Sequence, residues 1–138
     1  MNELPSAAAW LKAKLAGDAT LTGLVSTRIY RMRAPAGSAY PVVVFQPMAA
    51  VDVDTNGGTR VLTRIHWLVK AIATSYDTAR QIANRIDAAL QAASGTADAD
   101  TYVPGCIRMQ PIDLPEDVVG DLSYYQVGGI YRLDIHGT

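Results

Sequence analysis

The feature that most constrains this chain is a change of hydrophobic period inside one continuous stretch, Thr59–Ala93. Its first half alternates. Val61, Thr63, Ile65, Trp67, Val69 and Ala71 fall on one side of an extended chain, and Arg60, Arg64, His66 and Lys70 on the other, with Leu62 and Leu68 among them. Period two marks a half-buried strand. After Thr74-Ser75, Ala79, Ile82, Ala83, Ile86, Leu90 and Ala93 recur at helical spacing. Ser75 is placed to cap that helix, and Asp77 favours its first turn. A strand with one apolar face followed by a helix with one apolar stripe dictates a two-layer core, to which the other elements must add.

The chain has 138 residues, enough for one domain spanning 1–138. A domain near this size buries roughly 68–70% of the surface its unfolded chain exposes, so a substantial core is possible. A formal net charge of −1 and a pI of about 6.0 give no electrostatic basis for general nucleic-acid binding or for an anionic membrane surface. No run of about 18 apolar residues is present to cross a membrane. At the N-terminus, Glu3 and the interrupting Lys12 and Lys14 argue against a signal peptide. The single Cys106 has no internal partner for a disulfide, which suits folding in a reducing cytoplasm.

Along the chain, Pro5–Ala16 predicts a first helix, with Pro5 at its first position and Gly17 as its stop. Ala9, Trp10, Ala13 and Ala16, with Leu11 and Leu15 nearby, form its apolar side. Asp18–Val25 is a short turn or one-turn helix. Arg28–Arg33 and Pro41–Met48 are strands, separated by a loop of turn formers; Pro47 marks an edge or a bulge. Asn56-Gly57 is a hairpin-turn signal leading into the long alternating strand. After the main helix, Ser94–Thr101 is a polar loop, Tyr102–Ile112 a strand broken at Pro104-Gly105, and Asp113–Asp121 an acidic loop. Leu122–His136 is the last strand, with Tyr125, Val127, Tyr131, Leu133 and Ile135 on one face; Gly128-Gly129 marks a bulge or the close approach of another backbone. The expected architecture is α+β: a two-layer sandwich in which a mixed, mostly antiparallel sheet of about five strands carries one main helix on one face, with a short N-terminal helix, in the order α-β-β-β-α-β-β. Two strands are long. Twelve to fifteen residues at about 3.3 Å each span roughly 40–50 Å, whereas the radius of gyration expected for such a domain is roughly 14 Å. Such strands reach or overshoot the domain's edge, as they do where subunits add surfaces to one another or where a hairpin simply stands exposed.

Candidate chemistry is sparse. Asp52-Val-Asp54-Thr-Asn56-Gly57 matches the opening of a calcium loop, but that loop needs a bidentate carboxylate at its twelfth position, which here is Thr63, and it needs flanking helices. His66 and His136 lie on polar strand faces with no Cys or carboxylate at ligand spacing. Cys106 has no positioned base and is expected as an inert, mostly buried thiol. Arg28, Arg31 and Arg33 read as solvated or ion-paired edge residues, and no glycine-rich loop precedes a helix. Asp113, Glu116, Asp117 and Asp121 have no apolar pocket of their own to shift a pKa. In a loop facing a DNA channel they would repel the duplex and let it slide, because DNA phosphates bind cations. No catalytic, metal-binding or cofactor-binding residue is assigned, and no cofactor is implied.

The order of motifs resembles the tail-completion, or tail-terminator, proteins of long-tailed bacteriophages. The resemblance rests on the helix and Ala/Leu-rich turn of Ala7–Leu24, then Arg28-Ile29-Tyr30, the loop around Pro35 and Gly37, and the strand Pro41-Val-Val-Val-Phe45-Gln46. The strand Arg64-Ile-His-Trp-Leu-Val, the helix Tyr76-x-x-Ala79-x-x-Ile82-Ala83-x-x-Ile86 and the closing Tyr131-Arg132-Leu133-Asp134-Ile135 follow in order. Arg31 stands where a proline often follows, and the Asp52–Gly58 tip is not a family signature.

The resemblance implies a structural protein, not an enzyme. It implies a virion component, in phages or in gene transfer agents and phage-like particles. Copies form a ring, typically of six subunits, on the last tube ring at the head-proximal end of the tail. The ring stops tube growth and meets the head-completion connector, or stopper, while DNA passes transiently through the lumen; assembly takes place in the host cytoplasm and no membrane is involved. A ring needs a heterologous interface. Candidate interface residues are Leu62, Arg64, Leu68, Tyr124, Gln126 and Arg132. Candidate inter-ring or lumen residues are Asp52, Asp54, Asn56, Asp113, Glu116, Asp117 and Asp121. Another neck or minor tail part, and a small cytoplasmic α/β enzyme or ligand-binding module, remain the competing readings.

Overall fold

A computed structural model describes residues 3–137; the side chains of Pro115, Glu116, Asp117 and Val119 lie outside that description. In chain order the elements are α1 (Glu3–Ala16), α2 (Ala19–Val25), β1 (Ile29–Arg31), β2 (Val42–Asp54), β3 (Arg60–Ala73), α3 (Tyr76–Leu90), β4 (Gly95–Asp98), β5 (Thr101–Val119) and β6 (Leu122–Gly137). The class is α+β as expected, but the architecture differs from the expected sandwich of about five strands. Six strands form one sheet, in the order β1-β2-β3-β6-β5-β4, curled into a half-barrel. β1 runs parallel to β2 and every other pair is antiparallel. Register shifts at Pro47/Ala49, Tyr102/Gly105, Arg108/Gln110 and Leu114/Asp117 bend the strands, which is how bulges curl a sheet.

The change of period after β3 is realised directly. Thr63, Ile65, Trp67, Val69, Ala71 and Ala73 are buried, and α3 buries Ala79, Ile82, Ile86 and Leu90. Val61, by contrast, is exposed because β3 has there run past Thr63↔Ile135, where its pairing with β6 ends. Ser75 does occupy the N-cap position of α3, but its side chain makes no capping hydrogen bond. Trp67 packs against Phe45 of β2 with ring centroids 5.9 Å apart, and Tyr131, Leu133 and Ile135 of β6 complete the floor of the core.

α1 begins at Glu3, so Pro5 falls inside the first turn, where amide hydrogens have no intrahelical acceptor and a missing one costs little. The face it buries is Ala7, Ala8, Trp10, Leu11 and Leu15. Ala9, Ala13 and Ala16 are exposed, contrary to the expected apolar side. In an alanine-rich helix, small residues carry little directional information, and the large residues Leu11 and Leu15 choose the face. The expected turn at Asp18–Val25 is the two-turn helix α2, Ala19–Val25, capped by the Asp18 carboxylate, which accepts the Leu21 N–H at 2.9 Å.

Gly128 shows why two glycines stand in the last strand. A Cβ there would lie 2.0 Å from the Val69 carbonyl oxygen, so β3 and β6 approach closely only because it is absent.

Candidate assembly surface

Alternation places the two faces of the sheet in different worlds. Odd positions of β3 and β6 pack beneath α1 and α3, and even positions point the other way. Antiparallel sheets with one solvent face normally carry polar side chains there. Here that face holds Leu62, Leu68, Ile72 and Ile130 beside Arg64, His66, Lys70, Gln126 and Arg132. All six residues expected at a subunit boundary, Leu62, Arg64, Leu68, Tyr124, Gln126 and Arg132, are brought onto this one face. Each is partly exposed. Arg64 is already engaged, donating from Nε to the Asp134 carboxylate at 2.9 Å across the β3–β6 pair. Tyr124 meets Tyr40, ring centroids 4.9 Å apart, so the segment leading into β2 crosses one end of the face. Burial holds the Lys70 ammonium below the usual lysine range.

Sequence reading missed several members of this surface. Met48 and Met109 are about half exposed and, with Ala49, His66, Gln110 and Ile130, line a cleft of about 380 Å³ on it. Both methionines sit at register shifts, where β-alternation fails as a guide to the face. Pro47 is the cue to the first shift; in β5 the expected break lies at Pro104-Gly105, and nothing in the sequence marks Met109.

Two hairpins extend from the sheet at opposite ends. The β2–β3 tip lies beyond the Thr63↔Ile135 pair, and the β5–β6 tip beyond Ala73↔Tyr125. The first closes through Thr55–Thr59, with Gly58 at positive φ. Its Asp52 accepts from the Thr63 hydroxyl at 2.9 Å and lies 3.4 Å from Arg60, so this carboxylate serves the hairpin itself. Asp54 and Asn56 are exposed at the tip. The calcium-loop match is thus a strand end and turn, and among the described residues no group of three His, Cys, Asp or Glu is placed to hold a metal.

The second hairpin replaces the expected acidic loop. Residues 113–119 continue β5, and residues 122–124 begin β6. Asp113 is tethered: Tyr76 Oη at the start of α3 donates to it at 2.7 Å. Asp121 is exposed, and the side chains of Glu116 and Asp117 lie outside the described ones. Leu114, Val118 and Leu122 are exposed apolar residues on this arm.

Cys106, Arg28 and His136 have structural duties. Cys106 is fully buried in the core, and burial pushes its thiol up to about 12. Arg28 donates from Nε to the Pro41 carbonyl at 2.9 Å, fixing the entry to β2, while Arg31 and Arg33 are exposed. His136 packs on Tyr102, ring centroids 5.6 Å apart. No helix is long and apolar enough to cross a membrane among the described residues.

The family model described as tail completion protein gp17 matches residues 9–110 of this chain. Among solved structures, a chain from the virion of a native gene transfer agent particle matches with a TM-score of 0.73, covering 93% of this chain and 92% of that one at 19% identity. At that identity the likeness is one of fold. No curated protein sequence matches.

Proposed function

This chain belongs to the gp17 tail completion family, whose members are structural parts of the phage virion, and from that premise we propose that copies of it close into a six-membered ring at the head-proximal end of the tail tube. The ring stops tube polymerisation, offers a surface to the head-completion connector, and lets DNA pass through its lumen. The observation that carries this reading is the helix-free face of the sheet, which sets Leu62, Leu68 and Tyr124 among Arg64, Gln126 and Arg132. Apolar residues ringed by polar ones are the composition of a contact core and rim. A closed ring needs one patch to meet a different patch on the next copy. The two oppositely directed hairpins supply the second kind of contact, toward neighbouring rings or the lumen. One carries Asp52, Asp54 and Asn56, the other Asp113, Glu116, Asp117 and Asp121. Their carboxylates repel phosphate and keep a passing duplex from adhering.

Native mass spectrometry of the purified protein, paired with electron cryomicroscopy of particle necks, tests the reading. A closed six-subunit species and density for this fold between tube and connector are expected. A protein that stays monomeric at its highest soluble concentration and never docks on tail tubes would overturn it.

A further inference from the structure

We propose that the cleft between α1 and β4 is a receptor site for a carboxylate carried by a polypeptide partner. The cleft encloses about 510 Å³ and is lined by Ala9, Trp10, Ala13 and Lys14 of α1 and by Gly95 and Thr96 of β4. Trp10 is 3% exposed, yet among the described residues its Nε1 has no hydrogen-bond acceptor. Buried indole N–H groups usually find a partner. The Lys14 ammonium lies 5.6 Å from the centroid of the Trp10 ring and makes no ion pair among the described residues.

Both donors stand beside Gly95. A Cβ built on Gly95 would stand 3.7 Å from Trp10 Nε1 and 3.8 Å from Lys14 Nζ, with no other neighbour within 4 Å. Gly95 holds φ +147°, a conformation side chains rarely adopt, so no side chain of its own stands between the cleft and the two donors. An indole N–H and an ammonium both donate and neither accepts. The group that completes them is therefore an acceptor, and beside an ammonium an anion. One neutral donor and one cation match a singly charged carboxylate with two oxygens. The alanine walls suit the methylene stem of an aspartate or glutamate.

The chain's own nearby acid is occupied. Asp98 accepts from Ser6 Oγ at 2.6 Å and from the Asp100 N–H at 2.8 Å. A polypeptide carrier follows from the position of β4, the terminal strand of the sheet, which has a strand neighbour only on the β5 side. An extended segment can lie along its other edge while one acidic side chain enters the cleft. The site does not depend on ring formation.

Nitrogen-15 NMR of the full chain provides the test. Trp10 and Trp67 are its two tryptophans, so the spectrum holds two indole signals, assigned by correlation to the backbone, and the fully buried Trp67 serves as an internal control. The probes are a capped Ala-Ala-Asp-Ala-Ala peptide, its Asn counterpart and sodium acetate, each against equal sodium chloride. The Trp10 signal is expected to move saturably with the Asp peptide while Trp67 stays. The Asn peptide should bind about tenfold more weakly or worse, acetate about tenfold more weakly, and Lys14→Gln should raise the Asp-peptide Kd about tenfold with an unchanged fold by circular dichroism. A Trp10 signal that ignores all three probes, or moves equally with the Asn peptide or in the Lys14→Gln protein, overturns the site. Acetate binding as tightly as the peptide overturns the polypeptide source.

Discussion

Asp18 ties two helices with one carboxylate. Oδ1 accepts the Leu21 N–H that α2 leaves free, at 2.9 Å, and Oδ2 pairs with Arg85 of α3 at 2.8 Å. The Leu21 amide, aided by Arg85 and opposed by burial, holds the Asp18 carboxyl below its ordinary value. A lowered folded-state pKa stabilises the protein above the unfolded value of roughly 4, and the contribution is lost as pH falls through the folded value. Asp18→Ala should therefore cost about 1–2 kcal/mol at neutral pH, and the gap to the native protein should close in acid; denaturant midpoints measured across pH check this. Asp18→Asn keeps the cap and should lose less. Gly128 gives a sharper test. Its added Cβ would strike the Val69 carbonyl and Lys70 Cα, which are backbone atoms and cannot step aside. Gly128→Ala should destabilise by more than about 4 kcal/mol, the range reserved for gross steric conflict. At Gly129 the nearest atom is the Arg108 side-chain Cδ at 2.9 Å, which can swing away, so Gly129→Ala should be milder. Comparing soluble yield and denaturant midpoints of the two variants decides it; equal losses would refute the account.

At the scale of elements, sequence pattern succeeded where one period ran uninterrupted over a buried face, as in β3 and α3, and failed where burial was slight. β4 is four residues, Gly95–Asp98, with no apolar run and a glycine at positive φ, so nothing local distinguishes it from a loop. The sequence predicts that β5 ends at Ile112, with a break at Pro104-Gly105, because Asp113–Asp121 has the composition of an acidic loop. Its pairing explains the difference: β4 covers only the Thr101–Val103 end, the segment after α3 meets the same edge at the Cys106 carbonyl and the Arg108 N–H, and past Arg108 no strand pairs with β5 on the side away from β6 among the described residues, so proline is tolerated there. For the candidate surface, alternation placed all six residues on one face, but the methionines at register shifts stayed hidden because a bulge reverses the face without changing composition. The overhanging β5–β6 arm leads to a prediction. Beyond Ala73↔Tyr125 it pairs only with itself, so it contributes little to the core. Replacing Val118–Ser123 by Asn-Gly, which makes a tight two-residue hairpin, should leave the thermal midpoint within a few degrees of the native protein. The same variant should fail to join tails in an in vitro assembly assay. A large drop in midpoint would show that the arm belongs to the folding unit, and intact joining would remove its assembly role.

The whole molecule presents an asymmetry that an isolated domain does not need. Helices cover one face of the half-barrel, while the other keeps Leu62, Leu68, Ile72 and Ile130 partly exposed. Partly exposed apolar surface is stabilising only once something covers it. The formal net charge of −1 leaves little repulsion to oppose association of copies. Leu62→Asp with Leu68→Asp separates folding from assembly, because both side chains point away from the core that α1 and α3 close. The double variant should retain native circular dichroism and a thermal midpoint near that of the native protein. Two charges placed without partners in an apolar contact make desolvation unfavourable, so the concentration at which rings form should rise by about a hundredfold or more. Native mass spectrometry across a dilution series reads the effect directly. If rings survive, the contact between subunits is not on this face. The sheet then joins its neighbours through the β1 and β4 edges, and the leucine face turns toward the lumen or an adjoining ring.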